Sequence, residues 1–264
     1  MKILLSSGSL YTLPLEKAFR IASETGYDGM EVIISENFGQ DEGYSLLRGL
    51  KEIIPIYVLH APFDLIQGWG DRVTALIKTI DLARRISVPM VNFHPPRWLD
   101  LEVGFWRWMY TVGDFQRELG GGAVTIAMEN MPYGGRPLRL NPYILRRTKN
   151  MVRFIEKRNL YLTFDCTHMG TAKANFEGNF LRLYRTKRVK NIHFSDYRNQ
   201  EEHLLPGRGT LPLASLLEYL KESRYDEMIT LEIIPQELPE DEEAVKKALR
   251  EVVLHLRANW DKRT

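Results

Sequence analysis

The sequence predicts an α/β fold, a single (β/α)8 TIM barrel formed by one domain over residues 1–264. Short apolar runs with strand character alternate with stretches of helical spacing from one end of the chain to the other. Eight such strand-and-helix units can be counted, which is the number in a closed barrel. The length of 264 residues is close to the ~250 residues typical of one such barrel.

Each predicted strand is a short apolar run next to a turn signal such as Gly26–Gly29, Ser87–Pro89 or Gly120–Gly122. The strands are, in chain order, residues 2–6 (KILLS), 29–34 (GMEVII), 55–60 (PIYVLH), 89–94 (PMVNFH), 123–129 (AVTIAME), 160–165 (LYLTFD), 189–194 (VKNIHF) and 228–233 (MITLEI). The segments between them repeat apolar residues at steps of three and four, as in Val245, Leu249 and Val252 of the last helix.

The composition excludes few classes of partner but predicts the compartment. A net charge of +2 neither requires nor excludes a phosphate-bearing partner. Cys166 is the one cysteine, so no internal disulfide can form, which fits a reducing compartment. We expect no signal peptide, because the first residues contain no long apolar region followed by a small-residue cleavage site. We also expect no transmembrane helix, because no apolar run approaches ~18 residues. The expected location is the cytoplasm, without a membrane partner.

Histidines and carboxylates are concentrated at the ends of the predicted strands. His60, His94 and His193 stand at or next to the ends of the third, fourth and seventh strands. His168 follows the sixth strand by three residues, and His203 lies in the loop after the seventh. A parallel barrel brings all these strand ends to one rim, where barrel enzymes place their chemistry.

Four of these residues come from the four consecutive strands five to eight. They are Glu129, Asp165, His193 and Glu232. Taken singly, either glutamate could form an ion pair at the rim, and the histidine could be hydrogen-bonded in the core. As a matched set, they predict a site for a divalent cation such as Zn²⁺, Mn²⁺, Mg²⁺ or Co²⁺. We expect no organic cofactor.

The predicted loops after strands four, five and seven are long and combine aromatic rings with arginines. They carry Pro95–Trp98 with Trp106 and Trp108, then Met131–Arg139, and then Tyr197–Gly209. Such loops suit a sugar or a phosphorylated sugar, although the rings could simply cover the barrel mouth. The oligomeric state stays open, because the tryptophan-containing loop could instead form the interface of a homodimer.

Several short motifs occur in a characteristic order at these strand ends. They are His60-Ala61-Pro62-Phe63, Phe93-His94-Pro95, Glu129-Asn130, Asp165-Cys166-Thr167-His168-Met169, His193-Phe194-Ser195-Asp196, His203-Leu204-Leu205-Pro206-Gly207-Arg208-Gly209 and Leu231-Glu232. With this order and spacing, the chain resembles the xylose isomerase-like barrel superfamily. That superfamily includes sugar-phosphate isomerases and epimerases and the endonuclease IV type of apurinic-site nuclease.

The resemblance to ketose epimerases implies one metal held by the positions of Glu129, Asp165, His193 and Glu232. It also implies that Glu129 and Glu232 flank the substrate carbon as the catalytic pair and exchange its proton. The position of His168 contacts substrate oxygens in those enzymes. An arginine after the strand-seven histidine binds substrate there, and Arg198 is the nearest match, with Arg208 in the Pro206–Gly209 turn as a second candidate.

The resemblance to the nuclease branch implies a larger metal centre, in which nine ligands hold three zinc ions. The candidates in this chain are His60, His94, Glu129, Asp165, His168, His193, Glu201, His203 and Glu232. Glu201 stands where that branch has aspartate. The segment Leu5–Gly8 replaces its Gly-x-His-x-Ser sequence, and Ser35–Gly43 has no evident match to its DNA-penetrating loop.

Three functions are therefore compatible with the sequence. The leading hypothesis is a metal-dependent isomerase or epimerase that acts on a small sugar, sugar acid or sugar phosphate through an enediolate. The alternative is a metal-dependent phosphodiester hydrolase acting at abasic DNA sites, the one case in which nucleic acid would be a partner. A non-catalytic, metabolite-binding barrel is the third.

Overall fold

The computed structural model describes residues 1–35, 38, 40–98, 100, 102–132, 142–172 and 175–261. Eight parallel strands close into a barrel, which confirms the predicted fold. The barrel strands are β1 (Lys2–Ser6), β2 (Gly29–Ile33), β3 (Ile56–His60), β4 (Met90–Phe93), β5 (Thr125–Glu129), β6 (Tyr161–Asp165), β7 (Val189–Phe194) and β10 (Met228–Leu231). Each one lies within two residues of the predicted bounds.

The barrel is closed by β1, which pairs with both β2 and β10, so that the strand order follows the chain around the cylinder. Between β7 and β10 the chain forms a small antiparallel hairpin that the sequence did not predict. It consists of β8 (Asp196–Arg198) and β9 (Glu201–Leu204). Left-handed backbone at Asn199 and Gln200, with φ of 52° and 76°, turns the chain between these two strands.

Helices pack around the barrel between the strands. They are α1 (Leu15–Thr25), α2 (Gln40–Leu50), α3 (Arg72–Arg85), α4 (Val103–Thr111), α5 (Thr148–Lys157), α6 (Cys166–Thr171), α7 (Phe176–Tyr184), α8 (Leu213–Glu222) and α9 (Glu242–Asp261). Short 3-10 turns occur at Ser7–Leu10 and Pro235–Glu237, and a π-helical turn occurs at Gln116–Gly120. Within the described residues, no helix combines the length and the apolar character needed to cross a bilayer.

The buried apolar side chains of the described residues form two clusters, and the smaller one lies inside the barrel beneath the polar site. Leu4, Val58, Met90 and Ala127 pack together apart from the main core between strands and helices. They come from four of the barrel strands, so this cluster is the apolar floor of the barrel interior. Side chains alternate along a strand, so the residues two positions further on point to the same side.

Those next residues on the same four strands are polar and buried. They are Ser6, His60, Asn92 and Glu129. The register places the strand ends at one level, since Asp165 pairs with His193 between β6 and β7. The interior therefore changes from an apolar floor to a polar layer toward the carboxyl ends of the strands, where the candidate ligands lie.

Candidate metal centre

The four residues predicted from strands five to eight meet at one point. The ligand atoms of Glu129, Asp165, His193 and Glu232 all lie within 4.8 Å of one another. His193 is central, because its Nδ1 lies 2.7 Å from an oxygen of Glu232, 3.4 Å from Asp165 and 3.5 Å from Glu129. The strand ends thus bring together three carboxylates and an imidazole that are up to 103 positions apart in the sequence.

Two further groups of three potential ligands adjoin this first group. One consists of His60, His94 and Glu129, and the other of Asp165, His168 and His203. Glu129 and Asp165 each belong to two of the three groups. Eight of the nine candidate ligands therefore form one continuous set at the barrel mouth.

Glu129 lies between two groups and is contacted from several sides. Its Oε2 accepts a hydrogen bond of 2.7 Å from Asn92 Nδ2 and lies 3.4 Å from His60 Nε2 and 3.6 Å from His94 Nε2. Its Oε1 lies 3.0 Å from His168 Nδ1. Because the two oxygens face different imidazoles, this carboxylate is placed to be shared between two ions.

The residues present fit a bound divalent cation. Glu129 Oε1, Asp165 Oδ2 and His193 Nδ1 are buried, and none has a hydrogen-bond partner of acceptable geometry among the described residues. A buried polar atom without a partner costs about 1–3 kcal/mol. A cation bound between them would satisfy all three at once, and mixed imidazole and carboxylate ligands suit Zn²⁺, Mn²⁺ or Co²⁺.

Asp165 is held in place by the backbone around it. Its Oδ1 accepts a 2.6 Å hydrogen bond from the backbone N–H of His168, so Asp165 is the N-cap of α6. Asn130 donates from Nδ2 to the Asp165 carbonyl and accepts from the Asp165 N–H, both at 2.9 Å. The early start of α6 also places His168 one turn from Asp165, which explains how both join the same group.

Glu31 is a functional candidate that the sequence analysis missed. It is fully buried in β2, and its Oε2 accepts hydrogen bonds from His193 Nε2 at 3.0 Å and Asn191 Nδ2 at 2.8 Å. The bond from Nε2 leaves His193 Nδ1 directed at the carboxylates, as is common for metal-binding histidines. The sequence feature that could have indicated Glu31 is its position as the one carboxylate in the apolar run Met30–Ile33.

Replacing Glu31 by glutamine is expected to weaken zinc binding about 10- to 100-fold, because loss of a carboxylate behind a ligand histidine has effects of this size. The affinity would be measured by competition with a chromophoric chelator. Glu218→Gln, an exposed change of the same type on α8, is the matched control. Equal zinc affinities for wild type, Glu31→Gln and Glu218→Gln would exclude this role.

Buried charges set the protonation of the histidines in the ion-free protein. Burial opposes a charge on His168, but Asp165 and Glu129 outweigh it and raise the pKa to about 9. The same competition raises the pKa of His193 well above its usual range, with Glu232 as the strongest carboxylate. Burial dominates at His94 and lowers its pKa to about 4. Because protons compete with cations for these nitrogens, cation binding in this centre must depend on pH.

Glu201 lies outside all three groups. Its exposed carboxylate is 3.6 Å from the guanidinium of Arg198. His203 has a φ of 55°, which interrupts the regular alternation of β9. Glu202 is the half-buried carboxylate of this strand, and burial raises its pKa although the nearby His168 opposes this.

The two arginines predicted to bind substrate are also placed at the periphery. Arg198 forms the exposed pair with Glu201, and Arg208 lies 3.5 Å from Glu237 with 58% of its side chain exposed. Neither arginine is paired with a member of the three groups in the part of the chain that the structure describes. In the predicted loop Met131–Arg139, residues 133–139 lie outside the described residues.

A closed parallel barrel with imidazoles and carboxylates gathered at its carboxyl end defines the class: a TIM barrel with a candidate metal centre. The family model described as "Xylose isomerase-like TIM barrel" matches residues 19–258, and this chain belongs to that family.

Three proteins of similar sequence are described only as uncharacterized. A protein of Mycobacterium leprae is 27% identical over 264 residues, covering 88% of this chain and 89% of that protein. A protein of Mycobacterium tuberculosis H37Rv is 26% identical with the same coverage. A protein of Methanocaldococcus jannaschii is 33% identical over 112 residues, which are 41% of this chain and 36% of that protein.

Solved structures show the same fold at low sequence identity. The 3-keto-D-glucoside 4-epimerase YcjR of E. coli has a TM-score of 0.69 at 18% identity, covering 98% of this chain and 99% of that one. The IolI protein with a bound zinc atom has a TM-score of 0.74 at 15% identity, covering 99% and 100%. Endonuclease IV of Thermus thermophilus has a TM-score of 0.64 at 18% identity, covering 98% and 100%. The same fold therefore occurs in a protein described as an epimerase and in one described as an endonuclease.

Proposed function

We propose that this chain is a metal-dependent hydrolase of phosphodiesters whose centre holds two or three divalent ions. The observation that carries the proposal is that Glu129 and Asp165 each belong to two of the three adjoining ligand groups. A single ion would need only the group of Glu129, Asp165, His193 and Glu232. The likeness in fold to an endonuclease IV agrees with this proposal.

Paired divalent ions suit phosphodiester hydrolysis because they stabilise the attacking and the leaving oxygen of an in-line displacement and lower the pKa of water. The residues of this chain would hold and orient the centre. Glu129 presents one oxygen toward His60 and His94 and the other toward His168. Glu31 fixes the ring of His193, and Asn130 fixes the backbone of Asp165.

The second candidate is an isomerase or epimerase acting on a small sugar, and one specific observation favours it. Glu129 and Glu232 approach His193 Nδ1 from strands that are separated by β6 and β7, at 3.5 Å and 2.7 Å. Two carboxylates on different sides of one site suit proton transfer at a carbon atom. The likeness in fold to a 3-keto-D-glucoside 4-epimerase agrees with this candidate.

Metal content and turnover separate the two candidates. Purified protein would be stripped of metal, reconstituted with Zn²⁺, Mn²⁺, Co²⁺ or Mg²⁺, and analysed for ions per chain. It would then be assayed on an abasic duplex and on a panel of ketoses in D₂O. We expect two or three ions and cleavage of the abasic strand. A single ion together with deuterium uptake at a sugar carbon would contradict the hydrolase.

A variant outside the four-residue group sharpens this experiment. His60→Gln is expected to lose about one ion per chain and at least roughly 100-fold in hydrolysis, because it removes a ligand of the second group. His255→Gln, an exposed change on α9, is the matched control and should keep both the ions and the rate. Wild-type metal content and hydrolysis in His60→Gln would contradict the multinuclear centre.

A further inference from the structure

A groove on the outer wall of the barrel, between α4 and α5, plays no part in the proposed chemistry. It encloses about 860 Å³. One side is formed by Trp106 and Tyr110 of α4, and the other by α5 from Asn150 to Lys157. The ten residues from Thr148 to Lys157 extend about 15 Å at the rise of an α-helix. Helix α5 therefore gives the groove one wall of about 15 Å.

The charged residues described in the lining of the groove are all positive. Its lining contains five cations, which are Arg146, Arg147, Arg153, Lys157 and Arg158, and no carboxylate among the described residues. The whole chain has a net charge of only +2, so this surface is far more basic than the protein as a whole. No described carboxylate forms an ion pair with Arg146, Arg147, Arg153 or Lys157, so their charges are available to an anionic ligand.

Aromatic rings lie among these cations. Trp98 and Tyr110 line the groove with 40% and 47% of their surfaces exposed. The guanidinium carbon of Arg158 lies 5.4 Å from the centre of the Tyr110 ring. A surface that offers both cations and exposed aromatic faces can bind phosphates and stack planar bases together.

The groove continues into the barrel mouth. A second cavity of about 310 Å³ shares the lining residues 143–147 with it and adds the cations Lys149 and Arg182. This second cavity reaches Asn130 and His168 beside the candidate metal centre. A bound chain could therefore lie along α5 and extend toward the ions.

We propose that the groove between α4 and α5 binds a single strand of nucleic acid, as a site separate from the metal centre. The phosphates would lie along the arginines and Lys157, and bases would stack on Trp98 and Tyr110. The exposed rings favour this ligand over an acidic peptide, which would use the cations but not the flat faces. None of the residues that line the groove belongs to the three ligand groups, so the proposal does not depend on the proposed hydrolysis.

The test is binding of a fluorescein-labelled thymidine oligonucleotide, measured by anisotropy with the metal removed by EDTA. Arg153→Glu combined with Lys157→Glu is expected to weaken binding at least about tenfold and to reduce the magnitude of the slope of log affinity against log salt by about 1.4. The matched control is Arg48→Glu with Lys247→Glu, two exposed helical positions on α2 and α9 with the same change of charge. This control should change the affinity less than about twofold.

The variant Trp98→Leu tests whether stacking on an aromatic ring contributes to binding. We expect it to weaken oligonucleotide binding by about fivefold or more, as for loss of a stacked base, and to leave heparin binding unchanged. Circular dichroism would verify the fold of each variant. The proposal is overturned if the wild type does not bind the oligonucleotide, or if the groove variant and its charge-matched control lose the same affinity. It is also overturned if Trp98→Leu binds both the oligonucleotide and heparin as tightly as the wild type. Because all measurements are made without metal, these outcomes leave the test of hydrolysis independent.

Discussion

Glu129→Gln is expected to abolish catalysis and to reduce the bound metal by more than any other single substitution at the mouth. Glu129 is shared by two ligand groups, and its two oxygens face imidazoles on different sides. An amide keeps the shape but loses the charge and one acceptor oxygen. We expect the affinity for zinc to fall at least about 100-fold and turnover to become undetectable.

The metal content of Glu129→Gln would be measured by mass spectrometry after dialysis against buffered zinc. Glu218→Gln on α8 is the matched control, because it removes the same charge from an exposed position. A Glu129→Gln protein with wild-type zinc content and turnover would remove the basis for a shared carboxylate.

The second large effect is a dependence on pH that has opposite signs for folding and for metal binding. In the ion-free protein, Asp165 and Glu129 raise the pKa of His168 from 6.5 to about 9, although burial opposes this. A group with a raised pKa in the folded state stabilises the fold fully below its unfolded pKa and loses that effect as the pH rises through the folded pKa. For His168, the stabilisation is therefore present below pH 6.5 and is lost as the pH rises to about 9. Its size is on the order of 3 kcal/mol.

Cation binding should change in the opposite direction over the same range. A cation bound by Asp165, His168 and His203 must displace the proton from His168, so its apparent affinity should rise about tenfold per pH unit for each proton displaced. Between pH 6.5 and about 9, thermal melts with EDTA should shift downward while the zinc affinity increases. His168→Gln should flatten the pH dependence of the ion-free melts. Melts of the ion-free wild type that are independent of pH would contradict these buried charges.

The barrel could be predicted from the sequence because each strand is one short, mostly apolar run. Asp165, His193 and Glu129 could be selected for the same reason, since they stand where those runs end. Glu31 could not be selected in this way, because it lies in the middle of β2 and becomes polar lining only through the alternation of side chains.

Other features of the site depend on backbone geometry that residue types alone do not specify. Positive φ values at Asn199 and Gln200 turn the chain between β8 and β9. The positive φ at His203 interrupts the alternation that would have placed Glu201 and His203 on the same face of β9. Glu202, not Glu201, is consequently the half-buried carboxylate of β9. Similarly, the rings of α4 and the cations of α5 are far apart in sequence and become one surface only when the helices pack.

The most direct test of the central claim is a crystal structure of zinc-reconstituted protein, with anomalous differences measured at the zinc edge. We expect at least two peaks at the mouth. One would be bound by Glu129, Asp165, His193 and Glu232, and a second by His60, His94 and Glu129. Crystals grown in excess zinc with no peak at these residues, or with their side chains directed apart, would contradict a shared metal centre.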